Sequence, residues 1–167
     1  MKLLIVRHGP AGDPEEWKAE GRDDRLRPLT PKGKKEVRRV AAGLVHLVPT
    51  LDLLATSPWT RAAETADIVA REYGCEVEPV EVLTPDHKAE DLRPWLQQQR
   101  RNELVGIVGH EPYLTLLIGY LLTGKTATFI DLKKGGACLL ETADASKPGS
   151  GVLQWLLTDR ELRRLGK

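Results

Sequence analysis

The 167-residue sequence predicts an α/β fold of three layers, with a mostly parallel central sheet flanked by helices. Three observations carry this. Apolar runs of strand length recur at residues 3–6, 51–56, 77–82, 104–108, 137–142 and 152–157. Helical stretches separate the first four runs, which is what crossovers between parallel strands require. The last two are joined only by the turn-rich link "ADASKPGSG" and are expected to pair antiparallel at one edge. The length fits one domain over residues 1–167, large enough to bury a real core.

Taken in order, the first run reads as a buried strand that stops abruptly at Arg7-His8-Gly9-Pro10. Residues 13–27 mix both signs of charge and read as a solvated loop. A long helix follows, with Thr30 as N-cap and Pro31 at the first helical position. Val37, Val40, Ala41, Leu44, Val45 and Val48 make one apolar stripe at helical spacing, and Pro49 closes it. His46 falls off the stripe and is expected at the surface. The helix after "LLATSPW" buries Ala62, Ala66, Val69, Ala70 and Tyr73 and stops at Gly74. A third helix is expected over residues 89–101. A fourth, "EPYLTLLIGYLL", is apolar nearly all round and is expected to be well buried.

Composition excludes several classes. Charged residues make up 29% and hydrophobic residues 41%, as in a soluble globular protein. A net charge of +1 gives no footprint for nucleic acid, and the four tryptophans form no stacking ladder. Cys75 and Cys138 are too few for a disulfide framework or a cysteine-rich metal site. No run approaches the roughly 20 apolar residues of a membrane span, and Arg7 interrupts the first run too early for a signal peptide. A cytoplasmic location is the expectation. There is no internal repeat or low-complexity tract.

In an open α/β sheet, ligands bind beyond the carboxyl ends of the strands. Three of those ends carry unusual polar residues. The first ends in Arg7-His8, the second leads through Ser57 to Arg61 in the first turn of a helix, and the fourth ends at His110 before Pro112. Parallel strands would bring two arginines, two histidines and two helix N-termini to one place. Guanidinium groups bind phosphate oxygens bidentately, and helix N-termini favour anions. Phosphoryl transfer depends on such positioning and charge neutralisation. A histidine held neutral by neighbouring cations can serve as nucleophile. No cofactor and no metal are then expected.

At these residues the chain resembles the histidine phosphatase superfamily, with its phosphoglycerate mutase-like fold. The marks are "VRHG", "TSPWTRAAETA" and "VGHEP", in the family's order and spacing and across most of the chain. With "RPLTPKG" soon after the first motif, it looks most like the small bacterial SixA-type protein-histidine phosphatases. The resemblance implies a metal-independent phosphatase in which His8 forms a phosphohistidine intermediate that water hydrolyses. It implies that Arg7, Arg61 and His110 bind the phosphoryl group, with Gly9, Ser57 and Thr65 in support. The partner implied is a phosphorylated substrate, in particular a phosphohistidine-carrying signalling protein.

Two departures from the family pattern matter. The polar Ser/Thr and Asn pattern that follows "RHG" in many relatives is missing from "RHGPAGDPEEW". Larger relatives place a glutamate general acid after the third strand, where this chain has "LTPDHKAEDL". Asp86 and His87 are the candidates there, and Glu90 reads as a solvated residue. A weak acid suits a phosphoramidate, whose imidazole leaves easily once protonated, better than an alkyl phosphate, whose alkoxide needs a proton. A small-molecule phosphomonoester is the alternative substrate. A third possibility keeps the pocket without turnover, but the nucleophile's presence argues against it.

One stretch imitates another site. "GYLLTGKT", residues 119–126, matches the spacing of a nucleotide phosphate loop. Such a loop needs a strand before it and a helix after it. Here Gly119 falls inside the apolar helix, so Gly124 is expected to cap that helix and Lys125 to be solvated. Trp59, beside Arg61, is placed either against the pocket wall or in the core.

Overall fold

The computed structural model describes residues 1–144 and 147–167. β1 (Lys2–Arg7) leads through α1 (Pro14–Ala19) and α2 (Pro31–Leu47) to β2 (Leu53–Thr56). α3 (Thr60–Tyr73), β3 (Val77–Pro79), α4 (Arg93–Gln98), β4 (Leu104–Gly109) and α5 (Tyr113–Thr123) follow. β5 (Ala137–Thr142), β6 (Gly151–Leu157) and α6 (Asp159–Leu165) complete the chain. Among the described residues six strands form one sheet, in the order β3-β2-β4-β1-β5-β6. The first four in that order are parallel, and β5 and β6 run antiparallel at the edge, as expected. Ala145 and Ser146 of the predicted turn between β5 and β6 lie outside the described residues.

β1 lies inside the sheet and buries alternate residues on both faces, which is why its sequence is apolar without interruption. Leu3 and Ile5 face a core built with Leu114, Leu117 and Ile118 of α5 and with Leu83, Leu92 and Leu96. Leu4 and Val6 face the other core, with Val37, Val40 and Leu44 of α2 and Ala62, Ala66 and Val69 of α3. The small side chains of α3 let it lie close on the sheet. The helix signals hold. Thr30 Oγ1 accepts from Gly33 N at 2.9 Å, and Gly74 and Gly124 close α3 and α5 with φ of 66° and 78°. His46 is exposed.

Three expectations need correction, and one helix went unread. The run at 77–82 pairs only as far as Pro79, and the chain then winds into a 3-10 turn over Glu81–Leu83. Proline has no N–H for the ladder and is tolerated here because β3 is an edge strand. The expected helix at 89–101 is a 3-10 turn, Ala89–Leu92, followed by the short α4. Pro94 explains the break, since it suits a helix's first turn and not its interior. α6 was not anticipated, although Thr158 and Glu161 form a capping box at its start. Residues 13–27 are not a plain solvated loop: they contain α1, a 3-10 turn over Asp24–Leu26, and the buried Arg27.

α2 is seated tightly against the segment that carries the first motif. A Cβ at Gly33 would run into the carbonyl oxygen of Pro10, and one at Gly9 would run into Val37. Glu64 of α3 ties this corner down, accepting from Leu29 N at 2.8 Å and from Lys34 Nζ at 2.6 Å. Glycine to alanine inside a helix normally gains up to about 1 kcal/mol. Gly33→Ala should reverse that sign and cost about 1–3 kcal/mol, because its obstacle is backbone. Urea unfolding measures it, and a stabilised variant would contradict the packing described.

Candidate active site

The parallel ladder sets three strand ends level. Arg7 is the register partner of Gly109, and Thr56 that of Val108. Pairing continues one step further: His8 N donates to Gly109 O and Ser57 N to Val108 O, each at 3.0 Å. His8, Ser57 and His110 therefore emerge side by side, and α3 begins close behind with Arg61 in its first turn.

His8 is only 5% exposed. Its Nδ1 lies 2.7 Å from Gly9 O. A carbonyl can only accept, so Nδ1 carries the proton and the Nε2 lone pair is left available. That lone pair accepts from Arg61 Nε at 3.3 Å. Burial chiefly, helped by Arg61, Arg7 and Lys134 and opposed by the Gly9 bond, pushes the His8 pKa down to about 3. His110, 1% exposed, lies with its ring centroid 5.1 Å from that of His8 and its Nε2 2.9 Å from Ser57 Oγ. It too is held neutral, by burial first and then by His8 and the arginines.

Behind His8, Thr65 links the motifs. Its Oγ1 accepts from Gly9 N at 3.1 Å and donates to Arg61 O at 2.7 Å. The structure therefore brings Gly9, Ser57 and Thr65 into contact with the histidines and Arg61. Trp59 packs against the pocket wall, 5.2 Å from the His110 ring and 4.9 Å from the Arg61 guanidinium.

The two arginines differ in their partners. Arg7 Nη1 donates to Leu132 O at 2.9 Å, so the loop after α5 fixes it. Arg61 is 5% exposed and donates from Nη1 to Asp24 O at 2.8 Å and from Nη2 to Asp24 Oδ2 at 3.1 Å. Asp24 Oδ1 accepts from Arg27 Nε at 2.7 Å. Burial alone would raise the Asp24 pKa, but Arg27 and Arg61 hold it below the ordinary carboxylate value.

Sequence reasoning missed Asp24 and Arg27, which sit in the segment read as solvated. The sequence carries no local signal for them, because a buried arginine and a solvated one look alike there. Glu111 was also missed. It is half-buried, accepts from Thr115 Oγ1 at 2.6 Å, and has its pKa raised by burial against the pull of Arg7.

Asp86 is exposed, Glu90 is half-buried, and His87 Nδ1 lies 2.9 Å from Thr84 Oγ1, not in a hydrogen bond with the four central residues. Residues 119–126 form no phosphate cradle. Gly119 lies within α5, packed on the Ala127 carbonyl, and Lys125 is exposed. Among the described residues, no helix is long and apolar enough to cross a membrane.

Comparison with known proteins fixes the class. Residues 3–84 match the model of the histidine phosphatase superfamily, branch 1. An uncharacterized protein of Picosynechococcus is 32% identical over 148 residues, covering 87% of each chain. The chain belongs to the histidine phosphatase superfamily and is a phosphatase. Phosphohistidine phosphatase SixA of Escherichia coli is 25% identical over 98% of this chain and 97% of its own. The solved structure of the protein histidine phosphatase SixA complexed with tungstate superposes with a TM-score of 0.82 at 24% identity, covering 97% of this chain and 99% of that one. A phosphoserine phosphatase of Entamoeba histolytica shares the fold at a TM-score of 0.71 and 19% identity, covering 96% and 98%.

The buried neutral His8 has a measurable consequence. In the unfolded chain a histidine takes up a proton near its ordinary 6.5, whereas folded His8 stays neutral until about pH 3. Between these values the unfolded state binds more protons, so folding stability falls as pH is lowered from 7 toward 3. His8→Gln should make that decline shallower in urea unfolding at a series of pH values. A His8 imidazole that titrates near 6.5 in the folded protein by NMR would contradict the burial described.

Proposed function

We propose that this phosphatase removes the phosphoryl group from phosphohistidine in a protein partner, by way of a phosphohistidine at His8. The observation that carries the mechanism is His8 itself. Gly9 O locks the proton on Nδ1, so the Nε2 lone pair faces the arginine-lined pocket. Nε2 would attack phosphorus while Arg7, Arg61 and His110 take the equatorial oxygens. The P–N bond to the substrate imidazole breaks, and that imidazole, protonated on its other ring nitrogen in the phosphohistidine, leaves as the neutral ring while His8 keeps its Nδ1 proton. Water then attacks phosphorus on His8 and releases inorganic phosphate. Ser57 would orient His110, and Thr65 would hold Gly9 and the start of α3 in register. Residues 1–167 act as one domain in this reading, in the cytoplasm, and neither metal nor cofactor is used.

Support for the substrate class comes from the acid candidates and from likeness. The segment after β3 offers only the exposed Asp86 and His87, whose Nδ1 is bonded to Thr84 Oγ1, in place of the glutamate acid of larger relatives, and a phosphoramidate needs such an acid less than an alkyl phosphate does. SixA proteins match this chain over nearly its full length. The second reading, a small phosphomonoester, is favoured by one observation: a phosphoserine phosphatase shares the fold.

A hydrolysis panel with EDTA present separates the readings. It compares a phosphohistidine protein, a phosphohistidine peptide, sugar phosphates and an aryl phosphate. The phosphohistidine protein should be the best substrate. Strong preference for an alkyl phosphate would move the assignment to the second reading with the mechanism intact. His8→Ala should abolish turnover, Arg61→Ala should lower kcat by about 10²–10³ as loss of an oxyanion ligand does, and Lys125→Ala should change little. Retained activity in His8→Ala would remove His8 as nucleophile.

A further inference from the structure

Arg27 and Arg61 reach the same anion from two directions. Arg27 Nε donates to Asp24 Oδ1 at 2.7 Å and Arg61 Nη2 to Asp24 Oδ2 at 3.1 Å. The guanidinium side chains are 8% and 6% exposed, while the Asp24 side chain is 46% exposed. The cations are thus fixed inside the pocket and the carboxylate closes it from the solvent side. Arg27 is further anchored by Nη1, which donates to Gly12 O at 2.6 Å. Its charge acts on both Arg61 and His110, so it belongs electrostatically to the same pocket.

Two buried guanidiniums without a counterion would be costly, because an unpaired buried charge is strongly destabilising. One carboxylate answers that cost with a single negative charge and two oxygens. A phosphoryl group offers more charge and three oxygens to the same donors. Asp24 sits on a three-residue 3-10 turn and is half in water, so its side chain can leave without opening the core.

Resting on the assignment of the phosphoryl pocket above, we propose that Asp24 is an internal anion that holds Arg61 and Arg27 while the pocket is empty and yields to the phosphoryl group. Arg27 then becomes a third guanidinium ligand of the phosphoryl oxygens. The exchange makes substrate and phosphate compete with a tethered carboxylate, which weakens retention of the released phosphate.

Tungstate is the probe, read by competitive inhibition of aryl phosphate hydrolysis and by thermal shift. Asp24→Asn should melt lower than wild type without oxyanion, since two buried cations lose their counterion. It should bind tungstate about tenfold tighter, the equivalent of about 1.4 kcal/mol, and gain more melting temperature from it. Asp24→Ser should show the same ordering and stands in if the asparagine variant folds poorly. Arg27→Met should weaken tungstate about tenfold. Asp24 variants that bind tungstate no better than wild type, or an Arg27→Met that binds it equally well, would overturn the proposal while leaving an active His8 phosphatase. A wild type that neither binds tungstate nor hydrolyses the aryl phosphate would overturn the pocket assignment and this proposal with it.

Discussion

Parallel hydrogen bonding among β1, β4 and β2 is the constraint on which the site depends. Because Arg7 pairs with Gly109 and Thr56 with Val108, the residues that follow leave the sheet at one level. His8, His110 and Ser57 are far apart in sequence, and only this register makes them neighbours. Antiparallel pairing of any two of these strands would send their polar ends to opposite edges. β5 and β6, which do run antiparallel, bring the backbone of Gly136 to Arg7 N at 3.0 Å. The loop before β5 supplies the Leu132 carbonyl that fixes the Arg7 guanidinium.

Burial then decides the protonation states. Arginines keep their charge even when buried, whereas histidines in the same pocket give theirs up. The site is therefore positive through Arg7, Arg61 and Arg27, with two neutral imidazoles set among them. That combination leaves a nucleophilic lone pair inside a field suited to an oxyanion. It is also a load on the fold, offset by negative charges: Asp24 at the mouth, and the half-buried Glu111 together with Asp131 acting on Arg7.

Much of this was legible in the sequence because the signals are local. The apolar run before Arg7, the Thr30-Pro31 helix start and the glycines that close α3 and α5 each follow from backbone chemistry at one place. The convergence of His8, Arg61 and His110 followed from a topological rule once parallel strands were inferred. The roles of Asp24 and Arg27 were not legible, because in sequence a buried arginine looks like a solvated one. Only tertiary packing of the 13–27 segment on α3 separates the two. The break at Pro94 and the early end of β3 at Pro79 were readable in principle, and the apolar pattern overrode the proline in each case. Glu111 escaped notice because it stands next to a more conspicuous histidine.

The fold is shared with phosphatases of different substrates, so likeness leaves the substrate open and the local chemistry bears the proposal. Under that proposal everything turns on covalent attack by His8 Nε2. Rapid quenching of the enzyme during turnover, followed by mapping of the phosphorylated peptide, examines that step directly. Covalent attack at Nε2 predicts an acid-labile, base-stable phosphate on the peptide containing residue 8, lost in His8→Ala. Phosphate found on Ser57, or turnover with no phosphoenzyme formed, would contradict it.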